Sequence, residues 1–405
     1  MDKQQALAGI RVVSFCWAAA GPIIIRTLAE HGAEVIRVES SVIPDPSRSS
    51  PPFKDTIPGL NRSGYYAIYH DNIYGVTLNL RHPKGIELAK RLTARADIVG
   101  ESFSPGTMSK LGLSYEELRK VKPDIILFSC SNLGQTGPYA RQSGMGTQLT
   151  GYSGFFELLG YPEREPQLPQ GAYTDIICPY FAVPALMAAL CYRRRTGKGQ
   201  YLDISQYEGA IQFLSPLVLD YEVNGRINKR IGNRCSFAAP HNAYPCYGND
   251  RWCVIAVFSD EEWQSFCRAL DNPEWAKDAK FSTMLARKEN ELELDRLVGE
   301  WTKRFTPQEV MIKMQSAGVA AAVVETCQEL YNDLQLQHRE HFREVEHPEI
   351  GKYHCEAPAF KLSKTPANIN RPAPCLGQHN EYVYTKLLGL SDREFKELAV
   401  EGVFD

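Results

Sequence analysis

The chain has 405 residues, 43% hydrophobic and 23% charged, with a formal net charge of −3 at pH 7. That length holds two domains and a large core, and a near-neutral balance without a basic stripe argues against nucleic-acid partners. Eleven cysteines stand singly from Cys16 to Cys375 with no C-x-x-C pair, which argues against a disulfide framework and against cysteine-ligated metal.

Residues 1–8 are polar and short, so no signal peptide is expected. The longest apolar run, residues 176–191, falls short of the roughly 20 residues that cross a bilayer and contains Pro179 and Pro184. A reduced, cytoplasmic protein without membrane partners is the expectation.

Residues 10–15 (IRVVSF) form a β-branched run that predicts a strand. The small residues AAAGP follow, then IIIRTLAEHGAEVIRVE, which predicts a helix and a second strand. This is how a parallel α/β unit opens. The unit recurs with Ile86, Ala89, Leu92 and Ala96 at helical spacing before a strand at Ile98 and Val99. It recurs again in SYEELRKVKPDIILFSC, a helix and then a strand ending near Ser129. A long apolar helix begins at Asp175, and QYLDIS is the strand after it. Four or five such units predict an α/β protein with a doubly wound, mostly parallel sheet.

SQYEGAIQFLSPLVLDYEVNG (205–225) predicts one long helix. From Arg226 the chain turns polar and basic, then gives a strand (RWCVIAV), charged amphipathic helices over about 260–317, and a strand in GVAAAVVET. From about Gln337 it is extended and proline-rich, closing in helices within HNEYVYTKLLGLSDREFKELA. The expected domains are 1–225, large and α/β; 226–330, a linker and a small α+β domain; and 331–405, returning to the large domain.

GMGTQL, from Gly144, lacks the third glycine of a dinucleotide loop and does not follow the first strand. The AAAGP turn is better placed: it reads either as close helix–strand packing or as a site where a ligand meets a helix N-terminus. No G-x-S-x-G elbow is present, and Cys130, Cys178 and Cys191 sit in apolar segments that predict buried structural thiols. The nine histidines show no metal spacing, and HREHFREVEH reads as charged and solvated. Asp175, behind GAYT and ahead of its helix, has two readings. It is a good N-cap, or a carboxylate at the strand-to-helix edge where doubly wound sheets bind ligands, available as a covalent nucleophile.

Longer stretches carry a resemblance. LAGIRVVSF…AAGP…LAEHGAEVIRVE, LNLRHPKGIELAKRL…ADIVGESFSPGTMSKLGLSYEELRKVKPDIILFSCSNLGQTGPY, RRRTGKGQYLDIS and HPEIGKYHCEAPAFKLSKTPANINRPAPCLGQHNEYV occur in an order and spacing similar to those of the family III CoA-transferases, the formyl-CoA transferase and carnitine CoA-transferase type. The resemblance covers nearly the whole chain. It implies a Rossmann-like large domain built from both chain ends, a small middle domain, and two subunits interlocked like rings. It also implies a nucleophilic Asp at a helix start, with a T-G-[KR]-G-Q turn twenty-one residues later; Thr196 stands at that distance from Asp175.

The resemblance further implies coenzyme A contacts from Ala19 and Ala20 in the first turn, from Ser102, Phe103 and Ser104, and from Lys110. Coenzyme A is then a substrate, with no tightly bound cofactor or metal. Relative to formyl-CoA transferase, the glutamine in the first turn is replaced by Ala19, an arginine by Ser40, and two lysines by Ile73 and Ser131, while its glycine-rich flap gives way to RIGNRCSFAAPHNAYPC. These departures argue against a formyl-CoA enzyme. The expected activity is CoA transfer from an acyl-CoA, with succinyl-CoA plausible, to a carboxylic acid. Trp17, Tyr65, Tyr66, Phe155 and Phe156 suit either the core or a pocket for a larger or aromatic acid such as an arylsuccinate. Two alternatives stay open: an acyl-CoA racemase pairing Asp175 with His241 or Glu157, and a non-catalytic subunit of a heteromer.

Overall fold

A computed structural model describes residues 5–405. Six strands, β1 (Arg11–Phe15), β2 (Glu34–Glu39), β3 (Tyr74–Thr77), β4 (Ile98–Glu101), β5 (Ile126–Ser131) and β6 (Tyr201–Ser205), form a sheet in the order β3-β2-β1-β4-β5-β6. Every pairing is parallel. Neighbouring residues point to opposite faces. Val12 thus enters a core with Ile24, Leu28, Cys178, Ala182 and Leu186, whereas Val13 enters one with Leu88, Leu92, Leu118 and Tyr384. Helices on both faces explain why the inner strands read as continuous apolar runs. The strand order reverses between β1 and β4, and doubly wound sheets open a crevice at the carboxyl ends of strands at such a point.

The chain divides into two compact units. One takes the chain through Gly154, then Pro169–Gly225 and Gln335–Asp405, and contains the six-stranded sheet. Its C-terminal part covers the free edge of β3. The Gly75 amide donates to His379 Nδ1 (3.1 Å), the Thr77 amide to Asn380 Oδ1 (2.8 Å), and Tyr384 Oη to the Thr77 carbonyl (2.8 Å). HREHFREVEH, expected to be solvated, supplies β10 (Phe342–His347) of a hairpin with β11 (Gly351–Glu356). His347 there is buried, and its Nδ1 accepts from the Glu349 and Ile350 amides in the turn.

The second unit comprises Phe155–Leu168 and Arg226–Leu334. Antiparallel strands β7 (His241–Pro245), β8 (Trp252–Ala256) and β9 (Ala320–Val323) pack with helices around Trp263, Phe266, Phe281, Leu294 and Trp301. The boundary differs from the continuous 1–225 domain anticipated, because Phe155–Leu168 is tied within this unit. Gly232 donates to the Gly160 carbonyl (2.9 Å), and Arg230 pairs with Glu157 (3.1 Å).

The single helix expected over 205–225 is two, Gln206–Phe213 and Ser215–Asn224. Pro216 lacks an N–H and its ring clashes with the preceding turn, so it begins a new helix instead of continuing the old one. The helix Tyr173–Thr196 is, by length and composition alone, long and apolar enough to cross a membrane. It packs Cys178, Ala182, Leu186 and Ala189 into the sheet's core.

Candidate active site

Three loops meet at the crevice. The first follows β1, where Ala18 adopts a left-handed φ of +63°, a conformation that L-residues resist. A carboxylate holds it there: Asp45 accepts from the Ala18 amide at 3.2 and 3.1 Å through its two oxygens. Asp45 also pairs with Arg37, whose Nε donates to the Cys16 carbonyl (3.1 Å). Glu39 pairs with Arg37 and with Arg48 (2.7 Å), and the Arg48 guanidinium lies 3.7 Å from the centre of the Tyr66 ring. All five side chains are buried. Burial works to raise the Glu39 carboxyl, but Arg37 and Arg48 hold it below the usual carboxylate range.

Breaking a buried, paired network typically costs about 3–5 kcal/mol. Asp45→Ala is therefore expected to lower stability by about that amount and to release the Ala18 turn, which denaturant unfolding and steady-state kinetics would show.

At the start of the helix Ala20–Glu30 no side chain caps the free amides; those of Ala20 and Gly21, residues on the crevice wall, have no intrahelical acceptors. A Cβ on Gly21 would lie 2.6 Å from Cys16 Cβ and 3.1 Å from Ser102 Oγ, so only glycine allows this approach. The second loop follows β4. Ser102 Oγ accepts from the Trp17 amide (3.0 Å), and Trp17 Nε1 donates to the Ser102 carbonyl (3.0 Å). Phe103 meets Trp17 edge to face, and its amide donates to Glu101 (2.7 Å). The third loop, residues 140–146, leads into the helix Gly146–Tyr152.

Together with the ends of β5 and β6 these loops enclose a cavity of about 400 Å³. Ala19, Ala20, Ser102, Phe103 and Ser104 all line it beside Asp175. Lys110 does not; it is exposed at the end of the helix Thr107–Lys110.

Asp175 is not the N-cap. Its helix starts at Tyr173 after Ala172, which places Asp175 third in the first turn. Thr174 ties this end to the neighbouring helix, donating from Oγ1 to the Gly146 carbonyl (3.2 Å) and from its amide to Thr150 Oγ1 (3.4 Å). A Cβ on Gly146 would lie 2.5 Å from both Asp175 Oδ2 and Ala172 Cβ, so the missing side chain is what admits the carboxylate. Among the described residues nothing donates a hydrogen bond to that carboxylate or pairs with it. The helix N-terminus favours ionisation, yet burial outweighs it and pushes Asp175 up to about 6. At pH 7 it is ionised, desolvated and unpaired, which is what a carboxylate nucleophile requires.

Of the remaining candidates, Tyr65 lies near enough to Asp175 that burial and then the carboxylate raise its phenol. Tyr66 belongs to the ionic network, whereas Trp17 lines the cavity. Phe155, Phe156, Glu157 and His241 belong to the second unit, where Glu157 pairs with Arg230 and His241 Nδ1 contacts the Asn233 carbonyl (2.7 Å). Cys130 and Cys178 are buried with sulfurs 3.7 Å apart, and their hydrogen bond with burial pushes the Cys130 thiol well up. Cys191 is exposed rather than buried, because it lies on the solvent side of its helix. Ile73 is core, while Ser131 lines the cavity. Gly146, Arg141 and Gln206 went unrecognised in the sequence, although Gly146 lies in the GMGTQL stretch and Gln206 follows the recognised strand.

The model for CoA-transferase family III matches residues 7–380. Among curated proteins the chain is 33% identical to the succinyl-CoA–D-citramalate CoA-transferase of Chloroflexus aurantiacus, covering 98% of each chain. It is 29% identical to the human succinyl-CoA:glutarate CoA-transferase, covering 100% of this chain and 91% of that one. The crystal structure of a CAIB/BAIF family protein from Brucella suis superimposes with a TM-score of 0.87 at 31% identity, covering 95% of this chain and 100% of that one. With an unpaired aspartate at the switch point of a doubly wound sheet, and matches along its length, the chain belongs to CoA-transferase family III.

Proposed function

We propose that this CoA-transferase moves CoA from succinyl-CoA to a small aliphatic carboxylic acid, with Asp175 as covalent nucleophile. The carrying observation is the lone, desolvated Asp175 carboxylate on the cavity wall. The names of the two relatives favour succinyl-CoA and aliphatic diacids, and the aromatic lining, Trp17 and Phe103, is slight for an aryl acid.

Asp175 attacks the thioester carbonyl, giving an aspartyl–acyl anhydride and CoA thiolate. The thiolate attacks the aspartyl carbonyl, forming an aspartyl–CoA thioester and releasing the donor as its carboxylate. The acceptor carboxylate attacks that thioester, producing a second anhydride and thiolate. Attack of the thiolate on the acceptor's acyl carbon then yields the new acyl-CoA and regenerates Asp175. Each step exchanges one activated acyl group for another, so charge and protons balance.

The free amides of Ala20 and Gly21 suit the oxyanions that develop at each attack. Ala19, Ser102, Phe103 and Ser104 give the wall along which CoA lies. Arg141 lines the cavity without an ion-pair partner among the described residues, and it suits a distal carboxylate. Racemisation needs a second acid or base, and Asp175 is the only carboxylate on the described lining, which has no histidine.

Because only the ionised carboxylate attacks, kcat/KM is expected to be flat above about pH 6 and to fall about tenfold per unit below it. A succinyl-CoA-dependent transfer assay over pH 4.5–8 checks this; activity that persists at pH 4.5 contradicts it. The helix Ser215–Asn224 buries no residue and exposes Val218, Leu219, Tyr221 and Val223, a patch that favours association with another subunit. The interlocked dimer implied by the family predicts twice the chain mass of 45.5 kDa in light scattering.

A further inference from the structure

Two buried polar groups on the cavity wall are unused in this scheme. Ser131 closes β5, and Gln206 follows Ser205, the residue in register with Ser131 on β6. Ser131 is 5% exposed and Gln206 6%. Among the described residues neither Ser131 Oγ nor Gln206 Oε1 has a hydrogen-bond partner, and both residues line the cavity with Asp175. Buried polar groups are nearly always satisfied, and leaving them bare costs their full desolvation. Two such groups on adjacent strand ends therefore mark a place built for a ligand atom.

Their chemistry selects that atom. Gln206 Oε1 needs a donor, while Ser131 both donates and accepts. A carboxylate oxygen only accepts, so it leaves Oε1 bare, and a methylene leaves both bare. An alcohol accepts from Ser131 and donates to Oε1. The selection rests on the carboxamide orientation in which Oε1 is the buried, unsatisfied atom; turned over, Nε2 and Ser131 would both donate and a carboxylate oxygen would satisfy both.

We propose that Ser131 and Gln206 bind a hydroxyl group of the acceptor acid, which makes the enzyme selective for hydroxy acids over their deoxy analogues. This rests on the reading of Asp175 as nucleophile at the same cavity. Sites that hydrogen-bond a substrate hydroxyl reject analogues lacking it strongly, because the wall groups are then left unpaired.

The test compares malate and 2-hydroxyglutarate, each as separate enantiomers, with glutarate as acceptors from succinyl-CoA. At least one hydroxy acid is expected to exceed glutarate in kcat/KM by more than about tenfold. Gln206→Met should reduce that preference to within about threefold by slowing the hydroxy acid alone, and Ser131→Ala makes the same test if the first variant does not fold. Equal loss with both acceptor types would assign the pair to the CoA moiety and overturn the proposal, as would a wild-type enzyme that prefers glutarate or transfers to neither hydroxy acid. Aspartyl–CoA formation from succinyl-CoA alone separates the two readings. If it proceeds without hydroxyl selectivity, only this inference fails; if it does not occur, the Asp175 reading fails as well.

Discussion

Asp175→Asn is expected to remove CoA transfer and, at the same time, to stabilise the fold above pH 6. Asparagine keeps the shape but offers no carboxylate to attack a thioester, and loss of a covalent nucleophile costs about 10,000-fold or more in turnover. The stability gain follows from the cavity. Burial raises the folded Asp175 to about 6, above the ordinary aspartate range, so the folded protein binds this proton more tightly than the unfolded chain does. Stability therefore falls as pH rises from about 4 to about 6, and the penalty is complete above that. A shift of about two units corresponds to about 3 kcal/mol at most, and contact with water in the cavity reduces it. Asparagine removes the penalty. The variant's unfolding midpoint should exceed the wild type's at pH 8 and match it near pH 4, and an unchanged or lower midpoint at pH 8 contradicts the electrostatic account.

Gly146→Ala is expected to lower both activity and stability through one added methyl group. The new Cβ would sit 2.5 Å from Ala172 Cβ and from Asp175 Oδ2, well inside contact distance. Ala172 belongs to the turn that starts the helix carrying Asp175, so relief requires moving that turn or the carboxylate. Overpacking of this kind costs about 1–3 kcal/mol, and displacing a reacting group by about 1 Å costs about 100-fold in rate. Gly144→Ala is the control. Its Cβ would meet Asn132 Nδ2 at 3.5 Å, an ordinary contact, and activity should stay within about threefold. If both variants behave alike in the transfer assay, the close approach of Gly146 to Asp175 has no catalytic weight.

The large-domain strands and helices were legible where local pattern suffices. IRVVSF and DIILFSC are strands because β-branched and apolar runs suit a sheet covered on both faces, and β1 and β5 form there. β3 was missed because Tyr74–Thr77 is four residues long and is defined by its pairing with β2 and by the C-terminal segment laid over its edge. The network of Arg37, Glu39, Asp45, Arg48 and Tyr66 joins segments that no periodicity connects.

Asp175 was legible as a carboxylate at a strand-to-helix edge, and the matched motifs singled it out. Its position inside the first turn was not, since helix starts blur by a residue or two and GAYT carries no strong cap. GMGTQL was set aside as a failed dinucleotide loop. Its last glycine matters for another reason, the lack of a Cβ facing Asp175 twenty-nine residues later. Gln206 is an ordinary helix-start residue until the sheet order places it with Ser131 on one cavity wall.

The central claim, that Asp175 carries the transferred group, is tested most directly by mass spectrometry of the trapped intermediate. The protein is incubated with succinyl-CoA, quenched with hydroxylamine and digested. A hydroxamate on Asp175 in the wild type, absent from Asp175→Asn and absent without succinyl-CoA, is the predicted result. An unmodified Asp175 under conditions in which CoA transfer proceeds would contradict the account.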